Sequence, residues 1–364
     1  MHRRDKTDGA TGRLVHPENQ ARQLPGSNIP GSNIGLPPEG DRVLGLMLNP
    51  TSRRNKKHLD QIIQIARDSP STHHHITERP DEVANGLSDL ADRSVNVLAI
   101  GGGDGTVSRV LTHLLEEKPF QTMPLVAILP GGTANMTAGD IGLTGSVPSA
   151  LRRLCDWIET DSGQAHLERR PILCVRPGRG QPAKYGFFFG AGAIVQGIEY
   201  TNANIHSKGL KNEFSLGLGL ARSMWGIARQ DPRFSQPTSM AIGVDGCPLE
   251  KPQNMLLMLV SSLERLFLNM RPYWGEDNGK PLHMTMVQSP AARLLRNLPS
   301  LLRGKPNRYL SPQSGYLSHS IGSASLSFDG PFTLDGEISH ARSASGPIEI
   351  SSGDELTFLR IRDR

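Results

Sequence analysis

The sequence predicts an α/β protein: a parallel, helix-covered sheet in the first half and an antiparallel, β-rich and sandwich-like second half. Three observations carry this. From Arg42 to about Glu159, apolar strand-like runs alternate with helix-periodic segments, the rhythm of a parallel sheet. Two of these runs end in glycine-dense turns. After about Gln164 the pattern changes to short strands with frequent turns between them. At 364 residues the chain exceeds the usual size of one domain. The expected organisation is a disordered tail over 1–41, a first domain over 42–160 and a second over 161–364. The tail is rich in Gly, Pro, Asn and Arg and lacks periodic apolar residues.

The first strand, Val43 to Leu48, ends in Asn49-Pro-Thr-Ser-Arg-Arg-Asn-Lys-Lys57. Pro50 stops the ladder, and Thr51 and Ser52 offer hydroxyls at the start of a helix carrying Leu59, Ile62, Ile63 and Ala66. Arg53, Arg54, Lys56 and Lys57 add positive charge there, which a solvated basic first turn explains equally well. The run His73-His74-His75 looks like a metal tract, but neighbours in an extended segment face opposite ways, so solvent exposure is expected.

Val97 to Ile100 is a continuous apolar run, as in a strand buried on both faces. Gly101, Gly102, Gly103 and Gly105 follow, leaving backbone N–H groups bare enough for a phosphate to approach. Asp104 places one carboxylate in this turn, and Thr106 is expected to open a helix with Val107, Val110, Leu111, Leu114 and Leu115 on its apolar face. A second turn follows Pro124 to Leu129: Pro130-Gly131-Gly132-Thr133-Ala134-Asn135, with Thr133 expected as N-cap of the next helix. The last helix of this half is expected over Pro148 to Ile158. Neither turn spells a Rossmann fingerprint or a P-loop. Parallel neighbours place their C-terminal turns at one sheet edge, where open α/β folds bind ligands, so a shared nucleotide site is favoured over two unrelated caps.

In the second half, strands are expected at 172–175, 185–189, 255–261, 282–287 and 324–328. Gly190-Ala-Gly-Ala-Ile194 reads as a glycine-containing strand end. Asp335-Gly336 alone is an ordinary hairpin turn. A helix with a broad apolar face is expected over Asn212 to Arg229, and a basic amphipathic piece over Arg293 to Arg303; each suits core packing or a lipid surface.

Taken in order, Asn49-Pro50-Thr51-Ser52, Gly102-Gly103-Asp104-Gly105-Thr106 and Pro130-Gly-Gly-Thr-Ala-Asn135 resemble the diacylglycerol kinase catalytic domain. That group includes sphingosine kinases, ceramide kinases and the YegS-like bacterial proteins. The resemblance extends from about Arg42 over the rest of the chain. It implies a first domain of the NAD-kinase/diacylglycerol-kinase type that holds ATP on Asn49, Thr51, Gly101, Gly102, Gly103, Asp104, Gly105, Thr106, Gly132, Thr133 and Asn135, with Thr77 at the matching position after the second strand. It also implies a catalytic Asp-Gly-Glu triplet at Asp335-Gly336-Glu337. Glu337 is then the general base for the acceptor hydroxyl and Asp335 its supporting ligand or orienter, with Mg²⁺ arriving on ATP and Asp104 a candidate contact for it. Three positions depart from the family pattern: Arg53 stands for a common glycine, Met136 for an aspartate, and Asn278 precedes Gly279 where an Asp-Gly turn can bind a structural Mg²⁺. Asp277 is the remaining metal candidate there, against the plainer reading of an acidic turn.

The implied activity is ATP-dependent phosphorylation of a lipid-like alcohol such as diacylglycerol. The alternatives are an NAD kinase, which shares the Gly-Gly-Asp-Gly turn, and a catalytically weakened nucleotide- or lipid-binding module. Net charge is +5 with few aromatics (5%), which leaves little stacking surface for nucleic acid. Three separated cysteines argue against a disulfide scaffold. No run approaches the roughly 20 apolar residues of a spanning helix, and the charged start lacks the apolar core of a signal peptide. The expected location is the cytoplasm, with transient contact at the inner membrane face. A homodimer is compatible with the sequence, which does not fix oligomeric state.

Overall fold

A computed structural model describes residues 35–204, 236–248 and 251–362, together with 226 and 231. The expected tail through residue 34, and the helix expected over 212–229 apart from Gly226, lie outside the described residues.

The first half runs β1 (Leu44–Leu48), α1 (Arg53–Lys57), α2 (Leu59–Asp68), β2 (Thr72–Ile76), α3 (Glu82–Asp92), β3 (Val97–Gly102), α4 (Asp104–Glu117), β4 (Leu125–Pro130), α5 (Met136–Ile141) and α6 (Val147–Thr160). The four strands are parallel, in the order β4-β3-β1-β2. Strand alternation sends Leu98 and Ile100 into a core shared with α3 and α4, while Val97 and Ala99 pack with α2 and α6. Helices on both faces explain why β1, β3 and β4 are buried along their whole length. The single helix expected after Ser52 is two, because His58 (φ −131°) breaks the turn between α1 and α2. The helix expected to open at Thr106 begins at Asp104.

The second half contains β5 (Gln164–Arg176), β6 (Lys184–Gly186), β7 (Phe188–Gly192), α7 (Ala193–Asn204), β8 (Thr238–Val244), β9 (Cys247–Pro248), β10 (Gln253–Ser261), β11 (Leu282–Gln288), α8 (Leu294–Leu302), β12 (Tyr316–Ile321), β13 (Ser323–Ser327), β14 (Gly330–Leu334), β15 (Glu337–Ala341) and β16 (Ile348–Arg362). Its pairings are antiparallel, with inward residues of β5, β7, β10, β14 and β16 filling a third core. The strand expected at 172–175 is the end of a 13-residue β5, and the one at 185–189 divides into β6 and β7. β16 pairs with β5 along most of its length and meets β4 in parallel at Phe358 and Val126. The final strand therefore extends the sheet of the first half. No helix among the described residues is long and apolar enough to cross a membrane.

Candidate active site

The turns after β1, β2, β3 and β4 meet at one edge of the sheet, held by backbone bonds. Asn49 donates its N–H to the Gly101 carbonyl (2.9 Å), Thr77 to that of Leu48 (2.9 Å), and Arg54 to that of Gly131 (3.0 Å). The Asn49 side chain accepts from the Thr51 N–H and hydroxyl (3.0 and 2.7 Å) and donates to the Thr106 hydroxyl (3.0 Å). It orders the first turn and ties it to α4. Thr77 is buried, its hydroxyl donating to the Leu48 carbonyl (3.3 Å). Thr133 lies half-buried in the turn after β4.

The glycines here serve close approach. A Cβ on Gly132 would stand 2.5 Å from the Gly103 Cα, and one on Gly131 2.9 Å from the Gly102 nitrogen. Two bends thus touch backbone to backbone, and Gly102 itself is crowded by Thr106. The N-cap of α5 is Asn135 in the left-handed region (φ 47°), not Thr133. Its amide oxygen accepts from the Gly132 N–H (2.7 Å) and its NH₂ donates back to the Gly132 carbonyl (3.1 Å), so Asn135 fastens its own turn.

Asp104 performs the missing cap from across the site. It sits in the first turn of α4, yet its carboxylate accepts the N–H groups of Met136 (3.2 Å) and Thr137 (3.0 Å) at the start of α5. A negative charge at that helix end is favourable. Asp104 is 9% exposed, and burial pushes its carboxyl above the ordinary range.

The chain returns to this edge through the β14–β15 hairpin. Asp335 and Gly336 both have positive φ (48° and 91°), the type I′ pattern that pairs Leu334 with Glu337. The Asp335 carboxylate is 4% exposed and accepts the N–H groups of Phe187 (3.0 Å) and Phe188 (2.9 Å), while its own N–H donates to the Phe188 carbonyl (2.9 Å). Burial, and next the charge of nearby Asp104, hold its carboxyl well above the usual value. The hairpin is thereby pinned, and Glu337 is carried over the glycine turn: its Oε1 lies 3.0 Å from where a Gly105 Cβ would be. Arg109 of α4 donates to that oxygen at 2.8 Å; the Glu337 side chain is half-exposed.

A cavity of about 300 Å³ ends at Asp104, Asp335 and Gly336. Its walls are apolar, with Phe188, Ile194, Ile198, Leu257, Phe267 and Leu302 among them.

Several residues of the site carried no sequence signal. Asn55 is fully buried and donates to the carbonyls of Asn49 (2.7 Å) and Gly101 (2.9 Å), locking two turns. Arg109 has only its place one turn beyond Gly105 to suggest it. Beneath the site, buried Asp140 of α5 meets Arg170 (3.6 Å) and Arg265 (3.3 Å) and accepts from the Glu264 N–H (2.9 Å). Glu264 is drawn down to about 2, chiefly by His283, and pairs with Arg170 (3.1 Å). This cluster fastens α5 to the loop after β10, which helps line the cavity.

The Asp277 turn is held by its own side chains. Asp277 accepts the Gly279 N–H (3.0 Å) and Asn278 that of Lys280 (3.1 Å), so each side chain serves its own turn. Among the described residues no three His, Cys, Asp or Glu side chains gather as a metal-binding group. The histidine run lies in β2, half-buried rather than exposed, with His75 packed against Gly86.

Residues 43–165 match the family described as the diacylglycerol kinase catalytic domain. Over 107 residues the chain is 30% identical to a YegS-like protein of Enterobacter sp. (strain 638), covering 29% of this chain and 36% of that one. Over 101 residues it is 31% identical to the diacylglycerol kinase of Bacillus subtilis (strain 168), covering 27% and 32%. The chain thus spans about a third of the length of these relatives. A crystal structure of a diacylglycerol kinase from Bacillus anthracis str. Sterne superposes with TM-score 0.55 at 17% identity, covering 88% of this chain and 97% of that one. A second structure from that strain gives 0.59 at 19% identity, covering 88% and 95%. Those two likenesses are of fold, over nearly the whole chain. Together with the ordered turns, the sequence match makes residues 43–165 similar to the diacylglycerol kinase catalytic domain.

Proposed function

We propose that the protein is an ATP-dependent lipid kinase that phosphorylates the hydroxyl of a lipid-like alcohol such as diacylglycerol. The observation that carries this reading is the apolar cavity closed by Asp104 and Asp335 directly beside the glycine turns, with Glu337 resting on Gly105. In this reading the triphosphate lies along the amides of the turns after β3 and β4, at the N-terminus of α4. The acceptor enters the cavity with its hydroxyl toward the acids. Its oxygen bonds to the γ-phosphorus as the bond to the β,γ-bridging oxygen breaks, ADP leaves, and the hydroxyl proton passes to a carboxylate.

Glu337 suits that last task. One of its oxygens is paired with Arg109 and the other is left for a proton. Asp335 is engaged by backbone N–H groups and acts as the positioning residue that fixes the hairpin. The donor set suits Mg²⁺ brought by the nucleotide, since Asp104 and Asp335 bring two desolvated carboxylates together. Such an ion would neutralise phosphate charge.

The test is incubation of the purified chain with γ-labelled ATP, a total lipid extract and, separately, NAD. Label in an extractable lipid is expected. Labelled NADP, or no transfer to any acceptor, would overturn the reading. The apolar walls of the cavity disfavour NAD, whose ribose and amide need polar partners.

A further inference from the structure

One face of the molecule departs from an ordinary soluble surface. Between Asp277 and Asp329 the sequence holds no acidic residue, while Arg293, Arg296, Arg303, Lys305 and Arg308 crowd on and just after α8, all exposed. Arg293 and Arg308 lie over the ring of Tyr309, with guanidinium carbons 4.6 and 4.7 Å from its centroid, and Arg296 follows at 5.6 Å. Among the described residues none of these three arginines has a carboxylate partner. Like charges held together without counter-charge are poised for an external anion.

Large apolar side chains also stand exposed on α8 and on the loop beside it. Leu295 of α8 is 54% exposed, and Leu268, in the loop after β10, is 59% exposed. The two elements adjoin: the Arg271 N–H donates to the Leu302 carbonyl at 2.9 Å. Both also form cavity wall, α8 through Leu301 and Leu302 and the loop through Phe267 and Met270. An exposed leucine flanked by Arg293 and Arg296, with a second on the adjoining loop, matches a bilayer interface, where the apolar groups enter the acyl boundary and the cations meet headgroups.

We propose that α8 and the loop after β10 form a docking face for an anionic lipid bilayer, so that the cavity opens toward the membrane. The proposal rests on the lipid-kinase reading for its purpose, while its measurement does not need turnover. The full chain is sedimented with phosphatidylcholine vesicles, with and without phosphatidylglycerol. Binding to the anionic vesicles alone, weakened by salt, is expected. Combining Arg293→Gln, Arg296→Gln and Arg308→Gln should lower partitioning on the order of 100-fold, from about 1 kcal/mol per arginine near an anionic surface. Leu295→Glu alone should lower it about tenfold, the effect of keeping a half-exposed leucine out of an apolar contact. Melting temperatures should stay at the wild-type value, and turnover on a water-soluble short-chain alcohol should be unchanged.

Equal binding by the triple variant, equal binding to neutral vesicles, or retention on heparin without vesicle binding would overturn the docking face. So would loss of soluble-acceptor turnover alongside vesicle binding. If no alcohol accepts phosphate, the kinase reading fails while sedimentation still decides the surface.

Discussion

The glycine turns of the first half and the Asp335-Gly336 turn of the second use the same residue for opposite reasons. Gly131 and Gly132 have ordinary φ, and an added Cβ on either would lie within 3 Å of neighbouring backbone. Gly336 has φ 91° and nothing within 4 Å of its Cβ position. In the first half glycine lets two chains touch; in the second it lets one chain reverse. The proposed phosphate cradle therefore depends on a packing contact between bends, whereas the position of Glu337 depends on a local dihedral choice.

Substitutions can separate the two. The largest effect is expected from Glu337→Gln, which removes the proposed proton acceptor while leaving both turns intact. Steady-state turnover should fall on the order of 10²–10⁴-fold with an unchanged melting curve; a variant retaining full turnover would remove Glu337 from the chemistry. Gly132→Ala strikes the packing contact. Forcing a methyl against the Gly103 Cα should cost about 1–3 kcal/mol in denaturant unfolding and weaken nucleotide binding by calorimetry.

Asp335→Asn probes the hairpin's anchor. Asp104 and Asp335 both hold protons more tightly when folded, so the folded chain binds more protons above the unfolded carboxyl value of 3.8. Stability should therefore fall as pH rises through the raised folded values. Asp335→Asn should flatten that decline, while turnover drops because an amide has only one accepting atom and the hairpin loses part of its hold. Glu264 works in the other direction: lowered to about 2, it contributes stability above its unfolded value of 4.5 that is lost as pH falls toward 2. That acid limb should survive in Asp335→Asn, and urea titrations across pH would resolve both. The smallest effect belongs to Gly336. Gly336→Ala meets only the left-handed backbone penalty, about 1–2 kcal/mol, and Gly336→Asn, whose side chain tolerates that region, should cost less.

The parts of the site legible in the sequence are those written in consecutive residues. Strand followed by glycine turn followed by periodic helix named the edges after β1, β3 and β4, and Asp335-Gly336 named its hairpin. What stayed hidden are contacts between distant positions. Asn55 bonds to a carbonyl 46 residues away, Asp104 caps a helix 33 residues on, and Asp335 is held by amides 148 residues before it. The N-cap expected at Thr133 failed for the same reason, because the first turn of α4 supplies the carboxylate. The β-rich half was legible in kind but not in extent: the long β5 reads as a short strand because its first residues are polar and exposed, and only its pairing with β16 keeps them extended.

That pairing has a consequence for how the polypeptide is made. β4 cannot have its outer neighbour until Ile348–Arg362 has been translated, so the sheet beneath the glycine turns waits for a strand made long after its own four. Excising 43–165 as a stand-alone piece would leave β4 with a bare flank, an open template for sticking to other strands.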